Sequence, residues 1–178
     1  MASLLTHPIV PLAVGLGLGR KVIPRPLLVL GCLGSLLPDL DVLAFRMGIP
    51  YAHPLGHRGF THSLLVAALA GLASMILLRR HSPPARAFLF TFLATASHGV
   101  LDAFTTGGLG VAFLWPWSPA RFFAPVRGIR VSPIGLSRFL GPQGLAVLQS
   151  EVRWVWAPPA ALGLGLATLR RPRPEAGT

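Results

Sequence analysis

Side chains capable of metal-ion or acid–base chemistry are few in this chain and gather in four short stretches. His57-Arg58-Gly59-Phe60-Thr61-His62-Ser63 sets two imidazoles, a guanidinium and two hydroxyls directly before an apolar run, 64–78, that holds no ionisable group. The other three are His7, Pro38-Asp39-Leu40-Asp41 and His98-Gly99-Val100-Leu101-Asp102. Three of the five acids and five of the six histidines fall in these places, counting His53 as a weaker candidate. An apolar helix has no use for such groups, and holding them near lipid is costly, so they mark a functional site.

The spacings say what each pair can do. His98 and Asp102 are one turn apart on a helix face, which suits a shared metal ion or a carboxylate that orients a liganding imidazole. Asp39 and Asp41 diverge on an α-helix but share one side of an extended chain, and Pro38 favours the extended reading. His57 and His62 are out of phase on a helix, so the first is expected from a loop and the second from a helix start, where Thr61 or Ser63 caps the exposed amides. Taken alone, a His-x-x-x-Asp pair is more often a structural hydrogen bond, and an Asp after Pro a helix boundary. Their joint occurrence favours a metal site.

The elements that position these residues are apolar. Hydrophobic residues make up 52% of the 178 and charged ones only 12%, well below the quarter or so of a soluble domain. At about twenty residues per crossing there is room for four or five spans and no separate soluble domain. The runs are 8–19, short and glycine-rich, then 27–37, 60–78, 87–106 and 154–169. Between them, 111–125 is aromatic and proline-broken, as an interfacial segment would be, and 126–153 is more polar. No basic region precedes the first run, as a signal peptide would have, so it is expected to be a short, half-crossing or tilted helix that stays in the mature protein. The net charge of +11 reflects scarce acids, and the arginines flank apolar runs, so nucleic acid is not an expected partner. Cys32, the single cysteine, is read as a small packing residue, the four tryptophans as membrane-belt residues, and His81 and Glu151 as ordinary polar flank.

Alternation of spans puts His7, Asp39, Asp41, His57, His62, His98 and Asp102 on one side. Short basic turns at 20–25, 79–86 and 170–173 fall on the other, which the positive-inside rule makes cytoplasmic. The candidate site is therefore expected on the extracytoplasmic side, although Arg121, Arg127, Arg130 and Arg138 count against that orientation.

The segments LLPDLD, HRGFTHS, HGVLDAFTTGG and LWPWSPARFF, in that order after Thr6-His7, resemble the YdjM family of membrane-bound metal-dependent hydrolases. The resemblance runs from His7 to about Phe123, and HRGFTHS is its most specific part. The family is described as LexA-binding and inner membrane-associated, and is distantly similar to zinc-dependent phospholipase C and P1-type nucleases. It often continues the Asp pair with a histidine, where this chain has Val42.

Together these features predict an all-α, polytopic membrane bundle of four or five apolar segments with an interfacial aromatic segment, forming a single domain over 1–178 with a flexible tail from about 170. His7, Asp39, Asp41, His57, His62, His98 and Asp102 are the expected ligands of a divalent metal, Zn2+ ahead of Mn2+ or Mg2+. Asp39 or Asp41 would serve as general base and Arg58 would hold an anionic group. The expected partners are membrane lipids, and the expected reaction is hydrolysis of a lipid-like phosphoester or other ester. The alternatives are a metal ion or proton transporter, whose site would sit nearer mid-membrane, and a non-catalytic membrane partner protein.

Overall fold

A computed structural model describes residues 1–133 and 136–170; the expected flexible tail lies, but for its first residue, outside them. The described chain is helical: α1 (Ile9–Leu18), α2 (Arg25–Leu36), α3 (Leu64–Leu77), α4 (Pro84–Ala103), α5 (Leu136–Phe139), α6 (Pro142–Glu151) and α7 (Ala157–Leu169). Among the described residues extended pairing is limited to two isolated bridges, Thr105 with Ile129 and Val111 with Phe122.

Proline and glycine punctuate these helices. Pro26 and Pro84 sit in the first turn of α2 and α4, where a missing N–H costs nothing. Of the two caps the sequence offers, Ser63 is the one used, accepting from Val66 N at 3.2 Å, while Thr61 Oγ1 donates to Asp41. Pro158 and Pro159 remove two N–H donors from the helix start at Ala157, and the chain takes a wider π turn at Val152–Trp156 just before them.

Pro38 behaves differently from expectation. Leu37 stays helical (φ −56°, ψ −42°), and α2 tightens into a 3-10 helix, Leu37–Met47, instead of giving way to extended chain. Proline at the start of this new helix loses only a donor that had no obligatory partner. A left-handed Gly48 (φ 74°) closes it.

The bundle is built inside out compared with a soluble protein. Small residues such as Gly31, Gly34, Gly71, Ser74, Ala87 and Ala94 are buried between helices, while Val29, Leu33, Leu69, Ile76, Leu89 and Leu93 point outward. Small residues let helix backbones approach, and an apolar exterior suits lipid rather than water. α4 packs against α2 and α3, and α1 against α7. At the last contact Gly17 and Gly163 face each other so closely that a Cβ on Gly17 would lie 2.6 Å from the Gly163 carbonyl.

The expectation of four or five crossings is met only in part. Among the described residues one continuous helical stretch, Arg25–Met47, is long and apolar enough to cross a bilayer, while Ile9–Leu18 and Leu64–Leu77 are apolar but shorter. The 14 residues of α3 rise about 21 Å, less than a typical hydrocarbon core. α4 has the length but mixes Thr91, Thr95, Ser97, His98 and Asp102 into its apolar run. The basic turns do share one end: Arg86 Nη1 donates to the Val22 carbonyl at 3.2 Å, and Arg170 lies against Gly19. The candidate site residues lie at the other ends of the same helices.

Gly17→Val or Gly163→Val should push α1 from α7 and destabilise the protein by about 1–3 kcal/mol, the usual cost of overpacking. Thermal unfolding in detergent checks this, with Gly165→Val, at a position with open space, as the neutral control.

Candidate metal centre

Five elements deliver the chemistry-bearing side chains to one buried point. His7 comes from the turn before α1, Asp39 and Asp41 from the 3-10 helix, His57 and Arg58 from the loop after it, and His98 and Asp102 from α4. His62 ends a short 3-10 turn, Phe60–His62, just ahead of α3. All eight are at most 7% exposed. His53 is exposed and stays outside the group.

The tight helix separates the two aspartates. At three residues per turn, positions two apart point in different directions, so Asp39 turns to His98 and His7 while Asp41 turns to His57 and His62. Asp41 is fully engaged. Its Oδ1 accepts from His57 Nδ1 at 2.6 Å, and its Oδ2 accepts from Thr61 Oγ1 at 2.7 Å and Arg58 N at 3.1 Å and lies 3.2 Å from His62 Nδ1.

These contacts fix the histidine tautomers. His98 Nδ1 lies 2.7 Å from the Ser35 carbonyl, which can only accept. His57 Nδ1 faces the Asp41 carboxylate, and His62 Nδ1 faces Asp41 and Thr61 Oγ1, whose own hydrogen goes to Asp41. Each ring therefore carries its hydrogen on Nδ1 and, when neutral, leaves Nε2 as a bare lone pair. The Nε2 atoms of His62 and His98 meet at 3.1 Å; Asp102 Oδ2 is 3.5 Å from the first and Asp39 Oδ1 3.4 Å from the second. One donor atom each from Asp39, His62, His98 and Asp102 lies within 4.8 Å of the others, and Asp41, His57 and His62 form a second such group.

The set suits a cation. Among the described residues both oxygens of Asp39, His57 Nε2 and both nitrogens of His7 are buried without a hydrogen-bond partner. Three buried carboxylates face one guanidinium and the N-terminal amine of Met1, so a further positive charge, a proton on His62 or a metal ion, is favoured there. Two imidazole nitrogens and two carboxylate oxygens are also the donor types that zinc takes in four-coordinate sites. Burial pulls the His62 pKa down, but the carboxylates of Asp102 and Asp41 outweigh it and raise the value from 6.5 to about 8. Burial, reinforced by the charge of His98, drops His7 to about 3, so it is a neutral ring at physiological pH. That ring stacks on His98 at 3.5 Å, with Nε2 3.8 Å from Asp39 and 4.0 Å from Asp102.

Arg58 has a different position from the one expected of an anion binder. Fully buried, it donates through Nη1 to the Gly107 carbonyl and through Nη2 to Thr105 Oγ1, both at 2.9 Å, and its Nε lies 3.0 Å from Asp102 Oδ2. Its head is committed to the end of α4 and has no free edge for substrate. The backbone there is left-handed (φ 62°), a strain of about 1–3 kcal/mol for a residue with a Cβ. Gly59 beside it is required, because a Cβ would lie 2.0 Å from the Pro54 carbonyl.

Residues 1–172 match the YdjM inner membrane protein family. The chain belongs to that family. It is 47% identical over 173 residues, 96% of this chain and 99% of the relative, to "Inner membrane protein YbcI" of Escherichia coli (strain K12). No solved structure matches it. In this YdjM-family chain Val42, at the place where a histidine often follows the Asp pair, lines an apolar cavity that Asp39 also borders.

Sequence reasoning missed Glu151, which is no polar flank. Fully buried, it accepts from Ser3 N, from Ser3 Oγ at 2.6 Å and from Thr6 Oγ1 at 2.8 Å, and Trp156 Nε1 donates to the same threonine oxygen at 2.8 Å. It thus clamps the turn that carries His7. The one available signal was the scarcity of acids, Glu151 being one of only five. Arg121, read only as a topological oddity, holds the His57 loop by donating to the carbonyls of His57 and His53 at 3.0 and 3.2 Å.

His62→Ala, His98→Ala and Asp102→Ala should each abolish stoichiometric binding of Zn2+. Asp41→Asn, which acts through the imidazoles, should weaken it about 10–100-fold, as changes behind metal-ligating histidines do. Metal analysis and calorimetric titration separate the two classes. pH supplies another check. The raised pKa of His62 stabilises the metal-free fold below pH 6.5, a contribution lost as pH rises through about 8. A metal ion must displace that proton, so its apparent affinity should climb between pH 6.5 and 8 and then level off.

Proposed function

We propose that this protein is a membrane-bound, metal-dependent hydrolase of the bacterial inner membrane that cleaves a phosphoester or other ester of a lipid-like substrate with a metal-activated water. The observation that carries the reading is the convergence of four buried donor atoms, from Asp39, His62, His98 and Asp102, in a pocket of excess negative charge. Membership of an inner membrane family and an exterior of leucines support the location. In such a ligand set a divalent ion, with Zn2+ the first choice, supplies Lewis-acid polarisation of an ester and acidification of a water near neutral pH.

The chain's own groups then have distinct tasks. Asp41 orients His57 and His62 and is too heavily hydrogen-bonded to exchange protons. Asp39, whose two oxygens lack hydrogen-bond partners among the described residues, would offer one to the metal and keep the other as general base. Arg58 and the Ala2 amide hold Asp102 in place, the amide by donating to Oδ1 at 2.7 Å. An ester at Asp39 would lose its alcohol to solvent or to the membrane, the proton reaching it from the attacking water.

Purified protein loaded with Zn2+ should release phosphate or a headgroup from one member of a lipid and phosphoester panel, and lose that activity with chelator or in Asp39→Asn. If the panel stays uncleaved while the same protein moves metal ions or protons across vesicles, a transporter reading replaces this one. The accompanying topology places His57 and His98 outside the cytoplasm and Arg79 within it. Single cysteines at the exposed positions 53 and 106, at the site end, and 79, at the far end, in a Cys32→Ser background should label from opposite faces accordingly.

A further inference from the structure

Beside the cluster lies a cavity of about 600 Å3 that none of the foregoing uses, a size typical of sites that enclose small organic ligands. Its walls are almost wholly aliphatic or aromatic: Leu4 and Leu5 from the turn before α1, Leu40, Val42 and Leu43 from the 3-10 helix, and Phe139 from α5. Among the described residues the one ionisable side chain in its wall is Asp39, whose two oxygens lack hydrogen-bond partners there, and Met1, with its N-terminal amine, lines the same cavity.

The tight helix creates this arrangement. With three residues per turn, positions i and i+3 eclipse, so Leu40 and Leu43 form one row and Asp39 and Val42 the neighbouring row. The leucine row opens to the exterior, with Leu40 62% and Leu43 53% exposed. The Asp39 row borders the metal-binding group. A ligand lying along the leucines therefore meets the cluster at Asp39. The opposite wall is firm, because Glu151 pins the turn that carries Leu4 and Leu5.

We infer that this cavity holds one hydrocarbon chain of a membrane lipid, with the polar end of that lipid at Asp39. Water would find few polar partners there. The cavity opens on the same leucine-covered exterior that suits the bilayer, so a chain can enter sideways without crossing water. Moving a chain from bilayer to protein brings almost no hydrophobic gain, since both are apolar. The cavity selects by shape, and its function is register, setting which bond of the lipid stands beside the cluster. The assignment of that lipid as a substrate rests on the hydrolase reading; the chain site does not.

The test uses full-length protein stripped of metal by chelator, in nanodiscs containing a phosphatidylglycerol with a photoreactive diazirine on one acyl chain. Cross-links mapped by mass spectrometry should concentrate on Leu4, Leu5, Leu40 and Leu43, and fall about tenfold, equal to about 1.4 kcal/mol of lost chain binding, in Val42→Trp, which fills the cavity. Leu40→Trp, at an exposed position, gives the same reading if Val42→Trp does not fold. Labelling spread evenly over outward leucines such as Leu69, Leu89 and Leu164, and unmoved by either tryptophan, overturns the proposal. The Zn2+-loaded protein separates it from the hydrolase reading. Loss of long-chain but not short-chain ester turnover in the tryptophan variants supports both. Localised cross-links without turnover of any ester sink the hydrolase reading and leave the chain site standing.

Discussion

The structure depends on keeping three carboxylates and four imidazoles dry at the end of a helix bundle. Such a group collapses apart unless each charge is answered, and most of the irregular features of the fold answer one. Asp41 is satisfied by two imidazoles, a hydroxyl and a backbone amide. Asp102 is held by Arg58 and the Ala2 amide. What is left over, at Asp39 and at the Nε2 atoms, is a set of lone pairs aimed at one another, an arrangement that only a proton or a metal ion makes favourable. The raised pKa of His62 and the suitability of the site for a cation are two expressions of the same negative potential.

Local strain serves that end. The left-handed backbone at Arg58 lets its amide reach Asp41 while its guanidinium reaches Asp102, so one residue ties the two halves of the cluster together. The 3-10 helix divides Asp39 from Asp41 between an inner and an outer task and aligns Leu40 with Leu43 along an apolar wall. An α-helix would also divide the two aspartates, but at 100° per residue it would stagger Leu40 and Leu43 by about 60° instead of eclipsing them. Outside the site the bundle is simple: small residues at the crossings, leucines outward, and basic turns together at the far end.

Much of this was legible in the residues. A chain with 52% hydrophobic residues and five acids cannot distribute its carboxylates casually; burying one without a partner costs several kcal/mol, so acids next to apolar runs had to be paired with one another's neighbours. The one-turn spacing of His98 and Asp102, the origin of His57 in a loop and the Ser63 cap are all short-range facts, and short-range geometry follows from backbone period. The family followed from HRGFTHS and the segments around it.

Tertiary packing decided the rest. Whether Pro38 extends the chain or tightens a helix depends on what lies opposite Asp39 and Asp41, and no local rule contains that. Arg58 points inward because Thr105, Gly107 and Asp102 wait for it some 45 residues later. Glu151 looks like surface polarity until the N-terminal turn, 148 residues away, fills its lone pairs. The sequence by itself determined which groups were too costly to bury alone; only the fold determined which distant partner each one met, because pairing energies at such separations are set by three-dimensional approach and not by spacing along the chain.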